Sequence, residues 1–214
     1  SLCQKIFLFF SKHDLEKSHE KFLYYVHPHF FSEPTIYNNF VADIVFLMDS
    51  SLTVEQKVYD RQKNFIKSMV RSLNLSTDKS RVAVVNYGGD SVEVVRFSSP
   101  QDVAAIENRV DNARRVGRKR DIAKALQFSA SLLEKSRPDV SKVIIFLTSG
   151  SELYLTSPSQ VLRDHGADRY VIAIGSDLDE EELTPIIDEP RDMFTIRTPP
   201  ELTWKTEYII DRKS

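Results

Sequence analysis

Apolar and polar residues alternate along residues 41–214 in blocks that predict strands separated by helices. The strands are short runs rich in Val, Ile and Phe, which is typical of strands buried on both faces of a sheet. We predict them at residues 42–48, 81–87, 91–97, 142–147, 170–175 and 193–196. The first helix has apolar residues at near-3.6 spacing. We predict helices at residues 54–73, 100–112, 121–135, 158–165 and 179–188, with a last one from Pro199.

Strands that alternate with helices need crossover connections, so this order predicts an α/β, doubly wound, mostly parallel sheet with helices on both faces. Segments 81–87 and 91–97 are instead joined by Gly88-Gly89-Asp90, which predicts a tight hairpin with positive φ at the glycines. The hairpin adds one antiparallel edge strand. Ligands bind such sheets beyond the carboxyl ends of the strands. The loops that follow the strands are therefore where a functional site is expected.

Residues 1–40 differ in composition from the rest and are interpreted as an N-terminal extension or linker, with the domain at 41–214. They hold 7 of the 13 Phe and 4 of the 5 His. The single cysteine, Cys3, also lies there, so the predicted domain has no cysteine and the chain has no intramolecular disulfide.

Overall composition excludes several classes of protein. The net charge of -2 argues against a dedicated nucleic-acid binder, which needs a clustered positive excess. No apolar run approaches the ~20 residues of a membrane span. No Gly-x-Gly-x-x-Gly or P-loop sequence follows a predicted strand, which argues against nucleotide binding.

Catalytic residue sets are also absent from the predicted domain. It has no Gly-x-Ser-x-Gly turn and no cysteine nucleophile, and its one histidine, His165, is placed far from the strand ends. The acidic run 179–182 lies at a predicted helix start, where negative charge offsets the helix dipole. We therefore predict that the protein is not an enzyme.

The first strand and its loop, Asp43-Ile-Val-Phe-Leu-Met-Asp49 with Ser-Ser-Leu-Thr after it, resemble those of von Willebrand factor type A domains. The later segments resemble their counterparts in the same order, and the C-terminal ones are most similar to type VI collagen and related matrix proteins. The resemblance covers 41–214. It implies a non-enzymatic protein-interaction or adhesion module of a larger, secreted extracellular matrix protein. An intracellular scaffold subunit of the same fold is the alternative.

The resemblance also implies a metal-ion-dependent adhesion site. In the family, Mg or Mn is held by Asp-x-Ser-x-Ser, a Thr from a second loop and an Asp after the fourth strand, because such ions prefer oxygen ligands. Asp49, Ser51 and Thr53 match the first motif. The resemblance places Lys119 at the position of the Thr and Ser149 at that of the Asp.

Two ligand positions are thus lost, and one of them carries a positive charge. We expect a degenerate, metal-free site in which Lys119 pairs with Asp49, since a cation beside an ammonium is repelled. In one alternative Asp121 replaces the missing acid, and a second is a working Mg or Mn site. In a third, Thr53 is merely the N-cap of the first helix.

A basic loop and a glycosylation sequon complete the candidate sites. The loop carries five cations on the expected ligand face, so it is either simply solvated or binds acidic proteins or glycans. Its members are Arg114, Arg115, Arg118, Lys119 and Arg120. Asn74-Leu-Ser76 is an N-glycosylation sequon, usable if the protein is secreted.

Overall fold

A computed structural model describes residues 41–175 and 178–196 of the chain. Its described part contains a six-stranded sheet in the order β3-β2-β1-β4-β5-β6. Every neighbouring pair is parallel except β2 and β3, which form the antiparallel hairpin at one edge. The strands are β1 (Ala42–Asp49), β2 (Arg81–Tyr87), β3 (Ser91–Val95), β4 (Ser141–Thr148), β5 (Ala167–Ile174) and β6 (Met193–Ile196).

Helices cover both faces of this sheet, so the predicted doubly wound α/β fold is confirmed. Phe65, Ile66 and Met69 pack into an apolar core on one face, and Ile122 and Leu126 pack into a second core on the other. The central strand β1 is buried along its whole length. The helices are α1 (Gln56–Ser72), α2 (Val103–Asp111), α3 (Ile122–Leu133), α4 (Thr156–Asp164) and α5 (Glu180–Leu183), with short 3-10 turns at Thr184–Ile186 and Pro190–Asp192.

A buried carboxylate joins three segments at the amino ends of the strands. Asp43, in β1, accepts hydrogen bonds from Arg81 Nη2 at 2.5 Å and from Arg137 Nη2 at 2.7 Å. Arg137 also donates its backbone N–H to the same carboxylate at 2.7 Å. The Arg137 guanidinium reaches the carbonyl oxygens of Thr77 and Lys79 as well. This cluster fixes the end of the sheet that lies opposite the candidate site.

Several local predictions differ from the structure. The hairpin forms, but neither Gly88 nor Gly89 has positive φ, and within the described residues the only glycines that do are Gly117 and Gly166. Glycine is needed in the hairpin for a different reason, because the basic loop packs against it. A Cβ on Gly89 would lie 3.0 Å from the Cβ of Arg118.

Two helices also have different limits. α2 begins at Val103 rather than at residue 100, because the Asp102 side chain caps it through the backbone N–H of Ala105 at 2.8 Å. The helix predicted at 179–188 is one short helix followed by 3-10 turns. Its acidic start is structural, as expected, since Asp179 accepts the backbone N–H of Glu181.

The extension at 1–40, with Cys3, and the helix predicted from Pro199 lie outside the described residues. None of the helices in the described part is both long enough and apolar enough to cross a membrane.

Candidate functional site

The candidate site is built around Asp49, the last residue of the central strand. Its side chain is fully buried beyond the carboxyl end of β1, between β2 and β4. Oδ1 accepts the backbone N–H of Ser51 at 3.1 Å. Oδ2 accepts both the backbone N–H and the hydroxyl of Ser149, each at 3.1 Å. These neutral donors support the buried carboxylate, but a cation is needed to balance its charge.

Arg120 supplies that cation. Its Nε donates to Asp49 Oδ2 at 2.9 Å, and its Nη2 donates to Thr53 Oγ1 at 3.0 Å and to Ser149 Oγ at 2.8 Å. Thr53 Oγ1 is also 3.1 Å from Ser51 Oγ. The Arg120 side chain is only 16% exposed. One guanidinium thus bridges the loops after β1, before α3 and after β4.

The prediction that Lys119 pairs with Asp49 is therefore wrong by one residue. Lys119 is exposed, and the neighbouring Arg120 turns inward. A planar guanidinium presents several donors in a fixed fork, so it can satisfy three oxygens together, whereas an ammonium acts as a compact point charge. The alternative role of Asp121 is wrong as well, because its carboxylate caps α3 through the backbone N–H of Lys124 at 2.8 Å.

Thr53 does not cap the first helix. α1 starts at Gln56, after Glu55 at the N-cap, and no side chain makes a capping hydrogen bond there. The Thr53 hydroxyl instead contacts Ser51 and Arg120. The structure thus brings Asp49, Ser51 and Thr53 together, as the motif implies, along with Ser149.

A divalent cation does not fit this arrangement of donors. The guanidinium of Arg120 lies among the oxygens of Asp49, Thr53 and Ser149, where it would repel a metal ion. Asp49 supplies the one carboxylate among the residues that Arg120 joins, and its Oδ2 already accepts hydrogen bonds from Arg120 and Ser149. Within residues 41–175 and 178–196, no group of three or more His, Cys, Asp or Glu side chains is placed to hold a metal.

Glycine at position 150 makes the inward turn of Arg120 possible. A Cβ on Gly150 would overlap the Arg120 guanidinium. Sequence reasoning missed this contact, although a glycine directly after the strand-end residues Thr148 and Ser149 was a usable signal of a close approach.

Backbone hydrogen bonds fasten the basic loop to the loop after β1. Leu52 N–H donates to Arg118 O at 2.9 Å, and Gly117 N–H donates to Ser50 O at 3.1 Å. The guanidinium of Arg115 donates to the carbonyl oxygen of Val54. The site loops therefore form one continuous surface, which we call the ligand face.

The five basic residues of the loop are not equivalent. Arg115 donates to the carbonyl oxygen of Val54, and Arg120 donates to the carboxylate of Asp49. Arg118 pairs with Asp90 at 3.3 Å. Arg114 and Lys119 are exposed and make no ion pair within the described part of the chain. The charge that this face offers to a partner comes mainly from these two.

Exposed apolar side chains lie on the loops of the same face. Leu52 follows β1, and Leu153 and Tyr154 follow β4; all three are among the most exposed large apolar residues. Tyr154 is 89% exposed and has a φ of 67°, a left-handed conformation that is rare for a bulky residue. Such strain is concentrated at functional sites. Sequence reasoning did not single out this residue.

An α/β sheet of this topology, with a buried Asp and hydroxyl side chains beyond its central strand, defines a Rossmann-like domain. In this class of fold, ligands bind beyond the carboxyl ends of the strands. The chain belongs to the von Willebrand factor type A domain family, whose model matches residues 43–205.

Its relatives include proteins of the extracellular matrix. The chain is 30% identical over 156 residues to the collagen alpha-1(VI) chain of Gallus gallus, covering 68% of this chain and 15% of that one. It is 28% identical over 153 residues to matrilin-1 of Gallus gallus, covering 69% of this chain and 31% of that one. The chain thus spans less than a third of the length of these relatives.

Solved structures show the same fold. Proximal thread matrix protein 1 from the mussel byssus superimposes with a TM-score of 0.66 at 25% identity, over 81% of this chain and 46% of that one. A second structure of that protein, with zinc in its MIDAS motif, gives a TM-score of 0.67 at the same identity and coverage.

Proposed function

We propose that this chain is a non-enzymatic protein-interaction module of a larger, secreted extracellular matrix protein, and that its ligand face works without a divalent ion. The similarity of this chain to parts of collagen VI and matrilin-1 supports an extracellular matrix location. The observation that carries the second part is the ion pair of Arg120 with the buried Asp49. A fixed side-chain cation there takes over the charge that a metal would bring.

Partner binding then depends on the exposed parts of the ligand face. Arg114 and Lys119 offer positive charge, and Leu52, Leu153 and Tyr154 offer apolar contact area. Aromatic and Arg side chains are the usual anchors of protein interfaces. A matrix protein with an acidic surface fits this chemistry best.

Binding to immobilised type VI collagen and matrilin-1 tests this proposal. We expect the chain to bind at least one of them with the same affinity in EDTA and in Mg. The double variant Arg114→Ala/Lys119→Ala should weaken binding about tenfold or more, since it removes steering charge from the face. The matched control is Lys79→Ala/Lys135→Ala, which removes two exposed cations near the amino ends of the strands. Binding that needs Mg, or equal losses in both variants, would contradict the proposal.

A sulfated glycan is the second candidate ligand, because the loop has five cations within seven residues. Retention on a heparin column measures this directly. If the face binds glycans, the same Arg114→Ala/Lys119→Ala variant should elute at clearly lower salt than the Lys79→Ala/Lys135→Ala control. If wild type and both variants elute at the same salt concentration, a sulfated glycan is excluded as a ligand of this face.

Asn74 is a proposed glycosylation site. It is partly exposed after α1, away from the ligand face, and the Ser76 hydroxyl accepts the backbone N–H groups of Asp78 and Lys79 in a tight turn. On secretion from mammalian cells we expect one N-glycan, seen as a mobility shift that N-glycanase and Asn74→Gln both abolish. A secreted chain that never shows the shift would exclude the modification.

A further inference from the structure

A groove lies beside the edge strand β3, on the face of the sheet covered by α2. It has a volume of about 720 Å³. Val92 and Val94 of β3 line one side, and Ala105 of α2 lies across from them. Val92 is 52% exposed, which is unusual for a β-branched residue in a strand. The groove therefore offers apolar contact area that the described part of the chain leaves uncovered.

The charged residues that line this groove have one sign. Arg109 and Arg114 line it, and both are exposed. No Asp or Glu is among the described residues that line it. Glu93 lies between Val92 and Val94, so its side chain points to the opposite face of the strand, where it is 3.8 Å from Arg96.

Asp102, at the N-cap of α2, accepts the backbone N–H of Ala105, and the two acidic residues within α2 point toward α1. Glu107 pairs with Arg71 at 2.5 Å, and Asp111 pairs with Lys67 at 2.7 Å. The groove thus combines apolar side chains with two arginines that make no ion pair within residues 41–175 and 178–196. This is the complement of an acidic segment with apolar side chains.

The strand beside the groove is also open along its backbone. In the described sheet β3 pairs only with β2, so half of its N–H and C=O groups face away from the sheet. Its sequence, Ser-Val-Glu-Val-Val, has none of the Lys or Pro residues that commonly protect an edge strand. Such an edge is a template on which an extended peptide can add as a strand.

We propose that β3 and its groove bind an extended acidic segment of a partner protein by strand addition. The segment pairs with the free edge of β3, its β-branched side chains cover Val92 and Val94, and its carboxylates approach Arg109 and Arg114. This site shares Arg114 with the ligand face but involves neither Asp49 nor Arg120. Arg109 lines the groove and is not part of the basic loop, so variants at Arg109 test the groove separately from the ligand face.

Titration of the ¹⁵N-labelled full chain with a model peptide tests the proposal. The probe is acetyl-Glu-Val-Glu-Val-Glu-amide, and its control is acetyl-Lys-Val-Lys-Val-Lys-amide. We expect saturable shifts of the amides in β3 and α2 with the acidic peptide alone. No saturable shift, shifts confined to other elements, or equal shifts with the basic peptide would overturn the proposal.

Charge reversal at the groove provides the matched comparison. Arg109→Glu should weaken binding of the acidic peptide by about tenfold or more, because like charges in an interface repel. Arg61→Glu, at an exposed position on α1, should leave it unchanged. If Arg109→Glu alters the spectrum globally, Arg109→Gln replaces it, with a smaller expected loss. Equal affinity of wild type and the Arg109 variants would overturn the proposal.

An internal occupant is the main competing explanation, since residues 1–40 belong to the same chain. Cys3 is the single cysteine, so a nitroxide label can be attached there without substitutions. Broadening of the β3 and α2 amides by this label would assign the groove to the chain's own N-terminal segment and overturn the partner proposal. Unbroadened amides together with peptide binding would support it.

Discussion

Replacing Arg120 with alanine is expected to destabilise the domain by about 3–5 kcal/mol, because it leaves a buried carboxylate without its cation. Asp49 is fully buried, and the Nε of Arg120 is 2.9 Å from its Oδ2. The substitution also removes hydrogen bonds to Thr53 and Ser149, so three loops lose their common link. The free energy of unfolding in urea, measured at pH 7, reports the loss.

The matched control is Arg118→Ala in the same loop. That side chain is 69% exposed and its ion pair with Asp90 is screened by water, so its removal should leave stability unchanged within error. Arg120→Lys keeps the charge but presents fewer donors in a fixed geometry, and we expect an intermediate loss. Equal stability of Arg120→Ala and Arg118→Ala would show that the ion pair does not hold the site together.

Asp43→Asn is expected to cost about 3 kcal/mol at pH 7, because it removes the charge that two arginines share at the opposite end of the sheet. Burial alone would raise the pKa of Asp43, but the hydrogen bonds from Arg81 and Arg137 lower it more, so its pKa lies below the ordinary 3.8. A depressed pKa contributes stability above the unfolded pKa and loses it as the pH falls through the folded one. The difference from wild type should thus shrink below a pH of about 4.

Unfolding curves for wild type and Asp43→Asn, recorded from pH 7 to pH 3, measure both effects. The control is Asp90→Asn, whose carboxylate is exposed and pairs with Lys124 and Arg118 on the surface. Because this pair is exposed to water, its loss should change the free energy of unfolding much less than Asp43→Asn does. A gap between Asp43→Asn and wild type that stays constant with pH would argue against charge as the cause.

The positions of the strands could be predicted from sequence because burial on both faces leaves a local pattern. A strand buried on both faces must be apolar at consecutive positions, as in β1 and β4, and such runs are visible in the chain. The limits of the helices were harder to predict, since a single side-chain hydrogen bond from Asp102 sets the start of α2. The hairpin was predicted correctly, but its glycines are explained by the approach of Arg118 rather than by positive φ.

The candidate site could be located but not assembled from sequence. Asp49 stands at the end of a recognisable strand, so its burial beyond the sheet was foreseeable. Either Lys119 or Arg120 could have turned inward. The loop backbone and the space beside Gly150 decide between them, and the spacing of residues in the sequence predicts neither. Tyr154 and the groove beside β3 were missed because both depend on tertiary exposure.

Arg120 gives this chain a side-chain cation at its candidate site, whereas a mussel protein of the same fold has a structure with zinc in its MIDAS motif. The hydroxyl and carboxylate oxygens around Asp49 remain together, and the guanidinium links them. We therefore expect the ligand face to be assembled at all times, whatever the divalent-ion concentration. In a metal-dependent site, by contrast, binding of the ion stabilises the folded state by mass action.

Thermal unfolding of the unmodified chain in Mg, Mn, Zn or EDTA tests metal independence most directly. The zinc-binding mussel protein, measured alongside, is the positive control. We predict one Tm for this chain in all four conditions. A Tm that rises with ion concentration would contradict the assignment of Arg120 as the resident cation, since an ion at 100 times its Kd adds about 2.7 kcal/mol.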